Sequence, residues 1–255
     1  MSYSNLHTHT AFCDGRDAPE DLVLEALRLG CPALGFSGHS HVPFDDCCMS
    51  VSGTEEYKNT VSALKKKYAG RIRLLLGVEQ DYFADLPADG YDYVIGAAHY
   101  IYVDGGYYAV DESREKQLRL VNGHFGGDFY ALAESYFDMV GRLYEKTRCD
   151  IVAHFDLVTK FNEGGALFDT AAPRYRRAAL GALEKLLRTP AAFEINTGAI
   201  ARGYRTEPYP EPYILREIMK SGARVILSSD CHRREQLLFG FGAAENALAK
   251  CRNEK

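Results

Sequence analysis

Short, largely apolar runs punctuate this chain, and each gives way to a longer stretch of helical periodicity. Ala33–Phe36, Tyr91–Ala97, Ile151–Ala153, Phe193–Ile195 and Arg224–Leu227 are such runs. They lack the in–out alternation of a half-exposed sheet. They therefore read as strands covered on both faces, the mark of a parallel sheet. Pro19–Leu29, Thr54–Tyr68, Phe129–Thr147, Pro173–Leu187, Glu211–Ser221 and Glu235–Lys250 read as helices. Pro opens two of them, Thr54 is placed to cap another, and Gly70 and Gly222 follow two of the ends. With Asn5–His7 and Arg71–Val78 added, the pattern has about seven strand-then-helix units, which predicts an α/β fold around a parallel sheet. The 255 residues just reach the ~250 that a closed β/α barrel takes. No Gly/Ser/Pro-rich linker divides them, so one domain over residues 1–255 is expected. Tyr100–Phe125 departs from the pattern. It is a long Tyr- and Gly-rich connection in which Asp104-Gly105-Gly106 suits a hairpin turn, and connections of that length are usually functional loops or lids.

Ligand-type side chains recur at the C-terminal ends of the predicted strands. The first ends in His7-Thr8-His9, and the second leads to Gly38-His39-Ser40-His41. The third leads to Glu79-Gln80-Asp81, the fourth to His99, the fifth to His154 and the last to Asp230-Cys231-His232. In parallel barrels this end of the strands carries the active site. Residues two apart in an extended segment point to one side. His7 and His9 are therefore expected to reach one metal ion together, and Asp230 and His232 likewise. Closing the barrel makes the first and last strands neighbours and sets the two pairs face to face. Imidazole and carboxylate donors suit Zn²⁺, Mn²⁺ or Fe²⁺, and Glu79 can bridge two ions. A lone H-x-H motif, or one histidine after a strand, is ordinarily a hydrogen-bonded polar group. The repetition at six strand ends is what points to a metal site. His41 stands near this set as a group placed to touch substrate, whereas His124 reads as a loop histidine.

Charge and cysteine usage narrow the function. Thirty basic against 35 acidic residues leave a formal charge of −5 with no basic run, which argues against nucleic-acid binding. No apolar run approaches the ~20 residues of a membrane span. Met1–Asn5 lacks the basic and apolar regions of a secretory leader. Seven cysteines, an odd number with no C-x-x-C spacing, fit a reducing cytoplasm better than a disulfide framework.

Clustered divalent ions lower the pKa of bound water and neutralise phosphoryl oxygens. The expected chemistry is hydrolysis of a phosphate ester, with a metal-bound hydroxide as nucleophile. An anionic substrate also calls for cations on the same face. Lys160 lies in the segment after His154, and Arg202 and Arg205 lie in the segment after Phe193–Ile195. Guanidinium forks suit phosphate. Arg202, between small residues and Gly203, is the stronger candidate. Arg205 reads equally as a solvated charge, and Arg16, after Asp14-Gly15, is a weaker third. The Tyr-rich stretch Tyr100–Tyr108 is a candidate wall for the alcohol end of the substrate.

Taken together, His7-Thr8-His9-Thr10, Gly38-His39, Gly77-Val78-Glu79, His99, His154 and Ser229-Asp230-Cys231-His232 resemble the polymerase-and-histidinol-phosphatase (PHP) superfamily. Phe12-Cys13-Asp14-Gly15, Ala98-His99-Tyr100, Gly126-Gly127-Asp128, His154-Phe155-Asp156-Leu157 and Glu194-Ile195-Asn196-Thr197-Gly198 are similar to its histidinol-phosphatase branch. The likeness runs to about Gly242. It implies a distorted (β/α)7, TIM-like barrel and a trinuclear metal centre. One ion would take His7, His9, Glu79 and Asp230. A second would share Glu79 and take His99 and His154, and a third would take Asp14, His39 and His232. Asp14 enters only through the resemblance. The implied reaction is hydrolysis of L-histidinol phosphate to L-histidinol and phosphate, a step of histidine synthesis. Asp230 or a metal-bound water would serve the leaving group. One position departs from the superfamily, whose members commonly carry Asp where this chain has Gly38. Other readings stay open at this point: a phosphatase of phosphotyrosine or a sugar phosphate, a phosphoesterase acting on nucleic acid, and a non-catalytic metal-binding module. The acidic charge weighs against nucleic acid, and the intact ligand positions weigh against the binding module. The sequence leaves the metal and the oligomeric state undetermined.

Overall fold

The computed structural model describes residues 2–253. In chain order the elements are α1 (Pro19–Arg28), β1 (Ala33–Phe36), α2 (Val51–Lys67), β2 (Arg73–Asp81), β3 (Tyr93–Ala97), β4 (Tyr100–Val103), β5 (Gly106–Ala109) and α3 (Arg114–His124). There follow α4 (Phe129–Val140), α5 (Leu143–Thr147), β6 (Ile151–Val152), α6 (Pro173–Leu187), β7 (Ala192–Asn196), α7 (Gly198–Ala201), α8 (Pro212–Ser221), β8 (Val225–Ser228) and α9 (Phe241–Asn253). The order β1-β2-β3-β6-β7-β8 makes one sheet, parallel throughout. Residues 5–9 close it. Asn5 bridges to Leu34 of β1 on one side, and Thr8 bridges to Cys231 just beyond β8 on the other, both in parallel. The ring of extended segments is the distorted TIM-like barrel that the resemblance implies, built on the parallel α/β sheet that the strand pattern predicts.

The barrel floor explains two glycines of the motifs. Leu6, Leu75, Tyr93, Ile95, Ile151 and Ile226 pack together as a small apolar cluster. A Cβ on Gly35 or Gly77 would lie 2.3 or 2.2 Å from the Tyr93 side chain. Only glycine lets this ring fill the floor, where its hydroxyl reaches the carbonyls of Leu6 and Phe36. Side chains alternate faces along a strand, so Leu75, Gly77 and Glu79 share a side of β2, and Glu79 stands above the apolar plug. Outside the ring, helices lay apolar stripes on the sheet. In α6 the stripe is Tyr175, Ala179, Ala182, Leu183 and Leu186, all buried, and each large side chain so buried contributes about 1.5–3 kcal/mol.

Several boundaries differ from expectation for local reasons. β2 continues past Val78 to Asp81, because Glu79 and Asp81 stay in register with Ile95 and Ala97 of β3. α2 starts before Thr54. Ser50 caps it by accepting from the Gly53 amide at 3.0 Å, and the Thr54 hydroxyl turns back to the Ser50 carbonyl. The helix expected over 129–147 breaks at Gly141 into α4 and α5. The last helix begins at Phe241, after a single 3-10 turn over Arg234–Gln236. The Tyr100–Phe125 connection is half hairpin and half helix. Asp104 and Gly105 both take positive φ (49° and 81°), as a tight hairpin turn requires, and α3 follows. Only Gln117, Leu120 and Val121 of α3 are buried, too thin a stripe to announce a helix. Among the described residues no helix is long and apolar enough to cross a membrane.

Candidate metal centre

The strand ends converge on Glu79. Its Oε2 lies 3.4 Å from His7 Nε2, 3.5 Å from His9 Nε2 and 2.9 Å from His39 Nδ1. Its Oε1 lies 3.4 Å from His99 Nε2 and 3.0 Å from His154 Nε2. His7 and His9 leave their extended segment on one side, with Nε2 atoms 3.1 Å apart. Asp230 Oδ1 faces both, at 3.6 and 3.1 Å. Asp14 Oδ2 is 2.9 Å from His232 Nε2 and 3.6 Å from His39 Nε2. All nine ligand candidates thus stand in one cluster. Asp230 and His232 stand side by side, with Asp230 Oδ1 3.7 Å from His232 Nδ1 and Arg202 beside both, although Asp230 takes a positive φ of 47°.

Three subsets offer donor atoms that all lie within 4.8 Å of one another: His9, Asp14, His39 and His232; His7, His9 and Asp230; and His39, Glu79 and His99. The local chemistry suits divalent cations. Glu79 Oε2 and His154 Nδ1 are buried without a hydrogen-bond partner. A buried carboxylate oxygen crowded by imidazole nitrogens is an environment that a cation completes.

Carboxylates behind the imidazoles decide which ring nitrogen faces the cluster. Glu194 on β7 sets its Oε1 2.7 Å from His7 Nδ1, and its Oε2 accepts from the His154 amide and Asn196 Nδ2. Asp81 Oδ2 lies 3.0 Å from His99 Nδ1. Sequence reasoning did not single out either residue for the site. The available signals were an acid inside the apolar run of β7 and an acid two residues after Glu79. At Gly38 a Cβ would meet Cys13 Sγ at 3.3 Å and Met49 at 3.6 Å. Cys13 Sγ in turn lies 3.6 Å from His9 Nδ1.

The cluster perturbs its own members. Burial opposes charge on His7, but Glu194, Glu79 and Asp230 overcome it and raise the imidazole to about 10. His99 rises to about 10 against burial, through Glu79 and Asp81. Burial also opposes the charge on Glu79, yet His7, His39 and His99 hold it well below the usual carboxylate range. Asp230 is likewise held low against burial, by Arg202, His7 and His9. His232 is lowered by burial and by its neighbour His9.

A cavity of about 600 Å³ opens onto the cluster, and Lys160 and Arg202 line it. Arg202 donates to Asp230 Oδ2 at 3.0 Å and sits 3.0 Å from His232 Nδ1. Lys160 donates to Asp111, at 3.0 Å to Oδ2 and 2.7 Å to the carbonyl. The other three substrate-binding candidates do not line this cavity. Arg205 turns to Thr159 and to Glu211 at 3.3 Å and lines a separate cavity of about 390 Å³. Its charge is claimed by buried Asp156. His41 Nδ1 pairs with Asp85 at 2.7 Å. Arg16 is exposed, and its backbone amide donates to the His232 carbonyl at 2.8 Å. His124 pairs with Asp104 at 2.7 Å, outside the cavity.

A parallel barrel with a His/Asp/Glu cluster on its C-terminal strand ends defines an α/β barrel of the metal-site class. The chain belongs to the PHP domain family, whose model matches residues 5–198. It is 30% identical to a Deinococcus radiodurans protein named "Probable histidinol-phosphatase", covering 93% of this chain and 89% of that one. It is 25% identical to the Bacillus subtilis protein named "Histidinol-phosphatase", covering 93% and 96% respectively. A crystal structure of histidinol phosphate phosphatase from Lactococcus lactis, complexed with zinc, L-histidinol and phosphate, superposes with a TM-score of 0.69. That likeness, at 18% identity, covers 98% of this chain and 94% of that one, and it identifies the fold.

Proposed function

We propose that this protein is a single-domain, cytoplasmic, metal-dependent phosphomonoesterase that hydrolyses L-histidinol phosphate to L-histidinol and phosphate. The observation that carries the reading is the meeting of nine ligand-type residues in one cluster, seven of them lining one cavity, in a chain that aligns almost end to end with histidinol-phosphatases. The L. lactis protein, with its zinc, histidinol and phosphate, supports both the metal and the small-molecule substrate. His7, His9, Glu79 and Asp230 would hold one ion. Glu79, His99 and His154 would hold a second, and Asp14, His39 and His232 a third. Zn²⁺, Mn²⁺ and Fe²⁺ all suit these N/O donors. Bound ions supply Lewis acidity, acidifying water and offsetting phosphoryl charge.

The chain's own residues do the positioning. Arg202 and Lys160 sit on the cavity wall with donors that can grip phosphoryl oxygens, where fixed cations stabilise the charge of the transition state. Asp230, kept ionised beside Arg202, His7 and His9, would stay an anionic ligand for a bound ion. Glu194 and Asp81 hold His7 and His99 in the orientation that turns Nε2 to the cluster. A side-by-side assay of phosphate release from L-histidinol phosphate, a phosphotyrosyl peptide and a sugar phosphate tests the reading. L-Histidinol phosphate is expected to be the best substrate by at least about tenfold in kcat/KM, a preference of ~1.4 kcal/mol. Equal or better turnover of either competitor would contradict the assignment.

A further inference from the structure

The cavity holds more than a phosphate needs. Its phosphate end is marked by Glu79 and His154, which line it with buried unpartnered atoms, and by Lys160 and Arg202. The rest of the wall comes from residues 44–48 and the β4–β5 hairpin. We infer that Asp45 and Asp46 receive a positively charged group, and Phe44 with Tyr107 a planar ring, at the alcohol end of the substrate. This rests on the phosphomonoesterase reading above and names the residues that select the alcohol.

Two independent features of the wall agree. The first is charge. Each cation lining the cavity already has an anionic partner: Lys160 with Asp111, Lys116 with Glu112, and Arg202 with Asp230. Asp45 accepts from the Tyr100 hydroxyl and the Cys47 amide, which fix it without neutralising it. Asp46 is exposed. Among the described residues no cation of the chain forms an ion pair with Asp45 or Asp46. The wall made by residues 44–48 therefore carries two carboxylates with no cationic partner among the described residues, complementary to a cationic group on the ligand.

The second feature is shape. Phe44 and Tyr107 stack with ring centroids 3.9 Å apart and planes 9° from parallel. Phe44 also meets Tyr100 in a T-shaped contact with centroids 5.0 Å apart. Phe44 is 39% and Tyr107 45% exposed, high values for large apolar rings, and both line the cavity. An aromatic wall of this kind suits a flat ring or an organic cation. An ammonium and an imidazole on one short alcohol satisfy both features. A sugar phosphate offers neither.

The test compares L-histidinol phosphate with its deaminated counterpart, which keeps the ring and the ester and loses the ammonium. Asp46→Asn is exposed and conservative, and its folding is checked by its melting temperature. The ratio of kcat/KM between the two esters should fall about fivefold in Asp46→Asn, through KM, as loss of one partly exposed ion pair implies. Asp46→Glu should restore the ratio. An unmoved ratio in a folded Asp46→Asn protein would overturn the inference alone. A wild-type protein that turns over p-nitrophenyl phosphate but neither imidazole ester would overturn the functional reading, and this inference with it.

Discussion

Replacing Glu194 by Gln takes one charge from behind His7 and keeps the shape. In the native protein three donors converge on this carboxylate: His7 Nδ1 at 2.7 Å, the His154 amide at 3.2 Å and Asn196 Nδ2 at 3.0 Å. A glutamine amide offers one oxygen to those three. If the oxygen stays on His7, the NH₂ group confronts two donors; if it turns away, the NH₂ group confronts His7. At least one buried donor goes unsatisfied, at a cost of about 1–3 kcal/mol. Losing a carboxylate behind a metal-binding imidazole typically weakens metal affinity or activity ~10- to 100-fold, which is about 1.4–2.7 kcal/mol. The two arguments give the same size of effect. Competition with a chromophoric chelator should show binding weakened by about that factor. The metal-free melting temperature should fall by ~2–4 °C for each kcal/mol lost. Metal affinity and melting temperature both equal to wild type would refute the argument that Glu194 orients His7.

Further outcomes follow from the same geometry. His7 and His99 are raised to about 10 in the metal-free protein, above the ~6.5 of an unfolded imidazole. Their protonation stabilises the metal-free fold fully below about pH 6.5, and that stability is lost as pH rises through about 10. The metal-free melting temperature should therefore decline across that window. Metal affinity should rise across it, because the same protons compete for the ring nitrogens; calorimetry near pH 8 that detects no proton release on metal binding would contradict this. Arg205→Ala removes the cation beside buried Asp156, whose carboxyl burial pushes up to about 6 against the pull of Arg205. Urea unfolding should show a loss of about 3–5 kcal/mol with kcat nearly intact, whereas Arg202→Ala should cut kcat/KM about tenfold or more. The opposite pattern would mean that Arg205, not Arg202, serves the substrate. His7→Ala combined with His9→Ala should abolish phosphate release, and unchanged release would place the chemistry elsewhere.

The barrel was legible because its strands are short, largely apolar and separated by helices with clear stops. The bounds expected for β1 and for α6 are those observed. Eight of the nine ligand candidates, all but Asp14, were legible because strand ends lie together on one face of a parallel barrel, so chain position carries spatial meaning. That logic stops where side-chain direction depends on a distant partner. Glu194 touches His7 across 187 residues of sequence, and no local pattern registers such a contact. Arg205 is three residues from Arg202, yet Asp156 and Glu211 draw it into another cavity. α3 escaped notice because it covers the hairpin side with only three buried residues.

The most direct test of the account is steady-state phosphate release from L-histidinol phosphate, with metal content measured on the same sample. The account predicts saturable release that disappears when a chelator strips the metal and returns when divalent ions are restored. Metal-loaded, folded protein that releases no phosphate from this ester would contradict it.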